Sequence, residues 1–147
     1  MIRSIETERD RELLLTYIGK QPLPLTVSVE RGANRSIQQN RTAFLWYKEI
    51  AEQLGDRTTE EVRGWCKLHL GIAIRKAEDE AFAAKYDAIV RPLPYEHKMA
   101  LMMEPFDFPV TRGMKTKGMS AYLDAIAKWA AENGVRLTDP EALSYAA

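Results

Sequence analysis

"LTVSVERGANRSIQQNRTAFLWYKEI", residues 25 to 50, decides between two fold classes. Its opening alternates Leu25, Val27 and Val29 with Thr26, Ser28 and Glu30, the period-two pattern of a strand that buries one face. "GAN" then supplies a turn. From Ser36 the period becomes helical. At about 100° per residue, Ile37, Asn40, Phe44, Tyr47, Ala51 and Leu54 share one face, Trp46 and Ile50 widen it, and Gly55 stops it. Ser36 with Gln39 fits a capping box at the start of this helix.

The flanking sequence is mostly helical. "TERDRELLLTYIG" sets Leu13, Leu14, Tyr17 and Ile18 at helical spacing before Gly19. A second capping box, Thr58 with Glu61, opens a helix carrying Val62, Trp65, Cys66, His69 and Leu70. "RKAEDEAFAAKYDAIV" predicts one further helix with Phe82, Tyr86 and Ile89 inward, and "YEHKMALMM" a short one. "EPFDFPVTRGMKTKG" predicts loop or extended chain, with a short strand around "FPVTR". Thr116 is placed to cap a last long helix with Met119, Tyr122, Leu123, Ile126 and Ala130 inward, ended by "ENG". Thr138, Pro140 and Glu141 suit a closing helical turn. The expectation is one α+β domain over residues 1–147, mostly helical with a small β element.

Composition, 46% hydrophobic and 29% charged, is that of a soluble globular chain long enough to bury a core unaided. No run approaches the roughly 20 apolar residues of a membrane span, and the N-terminus lacks the pattern of a signal peptide. Cys66 is the only cysteine, so no intrachain disulfide forms, in keeping with a cytoplasmic setting. The 21 basic and 21 acidic residues cancel, which argues against a generally basic nucleic-acid binder. Their positions reopen the question. Residues 31–48 hold Arg31, Arg35, Arg41 and Lys48 with no acid, and residues 108–123 hold Arg112, Lys115 and Lys117 with none. A neutral chain can thus present a local basic surface while its other faces repel phosphate.

In the first window Arg35, Arg41 and Lys48 suit phosphates, and the amides of Asn34, Gln38, Gln39 and Asn40 suit backbone or base edges. Trp46 and Tyr47 follow within reach of bases as stacking surfaces; alternatively both are core. Alternatively Ser36 and Gln39 do no more than cap, and Asn40 in an apolar seam fixes the register of two chains. "TRGMKTK", residues 111–117, offers Arg112, Lys115 and Lys117 to a phosphate chain, or is an ordinary solvated loop. Cys66 and His69 lack the further ligands of a zinc site, so no metal is expected and Cys66 reads as core, with a Cys–His nucleophile pair the less favoured option. Glu60, Glu61, Glu78, Asp79 and Glu80 could serve a magnesium-dependent nuclease, but fall where helices begin and negative charge suits the dipole. GxxxxGK[ST], GxGxxG and HExxH are absent, so no cofactor is expected.

"RSIQQNR" after a strand, the aromatic helix, the "GD" turn, "TTEEV" and the later "FPVTRGMKTKGMSAYLDAIAKWAAENGVRLTDPE" together resemble the NinB (Orf) family of bacteriophage recombination proteins, over residues 25 to 145. The resemblance implies a homodimer without catalytic activity in the cytoplasm of a bacterial host. It would bind single-stranded DNA and, with the host single-strand-binding protein, help an annealing protein or recombinase gain the strand. Arg35, Gln38, Gln39, Asn40 and Arg41 then fall in the signature stretch, and Arg112, Lys115 and Lys117 in the basic loop. A metal-dependent nuclease, or a module docking on the single-strand-binding protein, are the alternatives.

Overall fold

The computed structural model describes residues 3, 5–29 and 37–139. Seven α-helices order these residues: α1 Glu8–Lys20, α2 Ile37–Leu54, α3 Thr59–Cys66, α4 Ile72–Glu78, α5 Glu80–Ile89, α6 Tyr95–Met102 and α7 Thr116–Glu132. A π-helical stretch, Lys67–Gly71, joins α3 to α4 without a break in helical backbone, giving one rod from Thr59 to Glu78. A single 3-10 turn, Thr111–Gly113, precedes α7.

Among the described residues there is no strand, which overturns the α+β expectation. Residues 25–29 take no regular secondary structure, and Leu25, Val27 and Val29 are exposed. An alternating pattern becomes a strand only beside another strand that takes its backbone hydrogen bonds and a layer that covers its apolar face. Neither lies alongside it among the described residues. Around "FPVTR" the chain bends into the 3-10 turn, and the Phe108 N–H donates to Leu101 O of α6 at 2.9 Å, back to a helix.

Helix limits follow local chemistry. Thr58 and Glu61 form the anticipated capping box, with Thr58 N–H donating to Glu61 Oε1 at 3.0 Å and Glu61 N–H to Thr58 Oγ1 at 3.1 Å. Gly55 and Gly134, at φ of 75° and 71°, end α2 and α7 in the left-handed backbone that glycine tolerates. The helix expected over "RKAEDEAF" is instead interrupted at Asp79, whose extended backbone and carboxylate, accepting from Phe82 N–H at 3.0 Å, start α5. Lys115, not Thr116, is the N-cap of α7, and Thr138 lies in no helix. Pro140, Glu141 and Ser36 lie outside the described residues.

The core gathers where α2, the rod and α7 meet. Tyr47, Ile50, Cys66, Met119, Tyr122 and Ile126 are buried there, and the Tyr47 and Tyr122 hydroxyls share a hydrogen bond of 2.7 Å. α4 rests on α5 and α7, and α6 on α3. Ile89, expected inward, is exposed, and α1 buries no residue. None of the described helices is long and apolar enough to cross a membrane.

Gly71 fixes the approach of the rod to α7. A Cβ there would lie 2.7 Å from Val110 Cγ1 and 3.4 Å from Tyr122 Cε1. Gly71→Ala should therefore destabilise by about 1–3 kcal/mol, the cost of overpacking, despite the better helix propensity of alanine. Denaturant unfolding checks this, and unchanged or raised stability would refute the tight contact.

Candidate nucleic-acid interface

α2 and α7 start side by side. Gln39 Nε2 donates to Thr116 O at 3.2 Å and to Ser120 Oγ at 2.9 Å, linking residues 77 and 81 positions apart. The two acid-free windows are thereby joined in space. Gln39 spends this amide on α7 and not on a ligand. One residue on, Asn40 faces a cleft of about 350 Å³ between α2, the rod and residues 107–112. Arg112 lines the same cleft, so two of the sequence-chosen residues meet there.

The others distribute by helical phase. Two residues beyond Gln39 the helix has turned roughly 200°, and Arg41 is exposed on the outer side. Lys48 follows on the same stripe, and Gln38 is exposed as well. Trp46 is not available for stacking: it is 6% exposed, and its indole N–H donates to Thr138 O at 2.8 Å. Tyr47 is buried too. Phe44, assigned to the core by spacing, is 60% exposed and lines the cleft. It sits between Arg41 and Lys48, at i−3 and i+4, as the aromatic surface the basic side chains flank. Lys115 and Lys117 are exposed at the start of α7. Asn34 and Arg35 lie outside the described residues.

The floor of the cleft is ionic, and periodicity gave no sign of it. Lys67, 2% exposed, donates from Nζ to Asp107 Oδ1 and to Met102 O, both at 2.7 Å. Arg63 reaches the same Oδ1 at 2.8 Å and pairs with Glu60 at 2.8 Å, and Arg112 approaches Asp107 Oδ2 at 3.7 Å. Burial pushes the Lys67 ammonium below the ordinary lysine value, against the pull of Asp107. The hydrogen bond from Lys67, then that from Arg63, holds the Asp107 carboxyl below the usual carboxylate range. Asp107 itself takes a φ of 46°, a conformation aspartate tolerates better than most residues.

The rod turns charged groups inward because it is covered on two sides. Val62 and Cys66 enter the core, while Gly64 backs onto α6, where a Cβ would lie 2.7 Å from Met103 Cγ. The end of the rod also braces the basic loop. Arg75 lies 4.8 Å from the Phe82 ring centroid, pairs with Glu78 at 3.4 Å and Asp79 at 3.7 Å, and abuts Gly113, where a Cβ would come within 2.8 Å of its guanidinium carbon. A Cβ on Gly118 would overlap the Glu78 carboxylate.

Other sequence candidates resolve as structure. Cys66 is core, its thiol pushed up to about 12 by burial. His69 stacks on Trp65 and shares a 2.8 Å hydrogen bond with the Tyr95 hydroxyl. Among the described residues no three His, Cys, Asp or Glu side chains converge as metal ligands. Compared with protein-family models, curated proteins and solved structures, the chain matches none of them.

Asp107→Asn removes the carboxylate charge that pairs with the buried Lys67 ammonium, leaving only the neutral acceptors of an amide oxygen and Met102 O. Breaking a buried ion pair costs roughly 3–5 kcal/mol, and partial exposure of Asp107 sets the expectation at the lower end, about 3 kcal/mol at neutral pH. A carboxyl depressed on folding stabilises above its unfolded value of 3.8 and loses that contribution as pH falls through the lower folded value. The gap between wild type and variant should therefore close below pH 3.8. Urea melts across pH check it, and equal stability at neutral pH would contradict the ionic floor.

Proposed function

We propose that the protein binds single-stranded DNA as a recombination mediator, along a path from the outer stripe of α2, across the mouth of the cleft, to residues 111–117. The observation that carries this is the Gln39 bridge to Thr116 and Ser120, which brings the basic windows into one neighbourhood of a chain with zero net charge. Phosphates would meet Arg41, Lys48, Arg112, Lys115 and Lys117, and Phe44 offers the one exposed ring on α2 for stacking. Both act without reading sequence, as a protein loading others onto arbitrary strands requires. The mediator role, action beside the host single-strand-binding protein and the homodimer rest on the NinB resemblance in "RSIQQNR" and "FPVTRGMKTKG".

Fluorescence anisotropy with a labelled single-stranded oligonucleotide, titrated with salt, tests the path. Each lost phosphate contact should flatten the slope of log affinity against log salt by about 0.7. Arg41→Ala with Lys48→Ala, and separately Lys115→Ala with Lys117→Ala, should each flatten it by about 1.4 and weaken binding, with duplex bound less well than single strand. An unchanged slope would remove that pair from the path. Binding to an acidic peptide with none to naked DNA would favour a protein-docking module instead.

A further inference from the structure

We infer that the cleft between α2 and residues 107–112 receives one nucleotide of the bound strand, its base turned in beside Phe44 and Asn40 and its phosphate held by Arg112. This rests on the single-strand binding proposed above and assigns a pocket within it.

Size admits such a guest. About 350 Å³ lies at the small end of ligand clefts, which run from roughly 300 to 1,000 Å³. The walls are of two kinds. Phe44, Phe108 and Val110 present apolar surface, and Phe44, 60% exposed, leaves most of its ring to a partner. Facing them are polar groups with capacity to spare. The Asn40 amide and the Thr111 hydroxyl have no hydrogen-bond partner among the described residues. An amide supplies both a donor pair and an acceptor, as the edge of any base requires. Asn40 is the one polar residue of this stripe, and the edge of a base would use both its donors and its acceptor.

Charge selects the class. Arg63, Lys67 and Arg112 stand against Asp107 and Glu60, three cations to two carboxylates, so the cleft carries one excess positive charge. Lys67 and Arg63 are committed to Asp107 Oδ1, whereas Arg112 is 69% exposed and 3.7 Å from Oδ2. Arg112 can therefore swing to a phosphate while the floor stays fixed. A floor already fixed by its own ion pairs lowers the ordering cost of binding, leaving Arg112 as the side chain to be ordered. A free nucleotide and a nucleotide within a strand share this chemistry, and the exposed Arg41 and Lys48 elsewhere on α2 favour the strand, which has further phosphates to offer them.

Saturation-transfer NMR with deoxyadenosine monophosphate tests the pocket, with deoxyribose phosphate as the control lacking a base. Transfer should reach the base protons, and a single-stranded oligonucleotide should displace the mononucleotide. Asn40→Ala should weaken mononucleotide binding roughly fivefold, as expected for one lost hydrogen-bonding group, without altering the thermal melt. Base signals that persist while the oligonucleotide saturates the protein would overturn the assignment, as would equal binding of deoxyribose phosphate or undiminished binding by Asn40→Ala. Anisotropy on the same samples separates the two levels: an oligonucleotide that binds without a mononucleotide signal removes only the pocket, whereas loss of both removes strand binding as well.

Discussion

The Lys67 ammonium, held between Asp107 and Met102 O inside the protein, is the interaction on which the floor of the candidate site depends. A buried charge is tolerated only when its partners are fixed. Here those partners are the carboxylate and carbonyl of the chain that leaves α6, so residues 102–107 are pinned to the rod at its π-helical stretch. Arg63 reinforces the same oxygen from one turn earlier. The segment carrying Thr111 and Arg112 follows this anchor in sequence and lines the cleft opposite α2.

Two further contacts decide where the positive charge ends up. Gln39 ties the start of α2 to the start of α7, and Arg75 with Glu78 supports Gly113 and Gly118 from beneath. The Gln39 bridge sets the starts of the two acid-free windows beside each other in a chain with no net charge. Of the basic side chains, Arg41, Lys48, Lys115 and Lys117 stay exposed and bear little of the fold, while Lys67, Arg63 and Arg75 are spent on structure. In the proposed function, that division would let the exposed cations meet a polyanion without bearing on the core.

Local signals in the sequence were legible because their causes are local. The Thr58 and Glu61 capping box, the stops at Gly55 and Gly134 and the inward face of α7 each depend on a few neighbouring residues. The strand at 25–29 was misread because alternation states which face would be buried, not whether a partner strand is present. Phe44 was misplaced for a related reason: it lies at the edge of the α2 stripe, where a cleft rather than another helix adjoins it. Of the residues singled out in the sequence, Asn40 and Arg112 line one cleft, whereas its ionic floor of Arg63, Lys67 and Asp107 left no signal there. Helical periodicity assumes one buried face, whereas α3 is covered on two, and Asp107 lies in a loop 40 residues from Lys67. Only the tertiary fold joins them.

The central claim is that a single strand lies over the cleft and the adjoining starts of α2 and α7. Mapping backbone and side-chain amide shifts of the labelled protein as an oligonucleotide is added tests it most directly. The account predicts the largest shifts at Asn40, Arg41, Phe44, Lys48 and residues 111–117, with α5 and α6 little affected. Shifts concentrated on α5 and α6, with those residues unmoved, would contradict it.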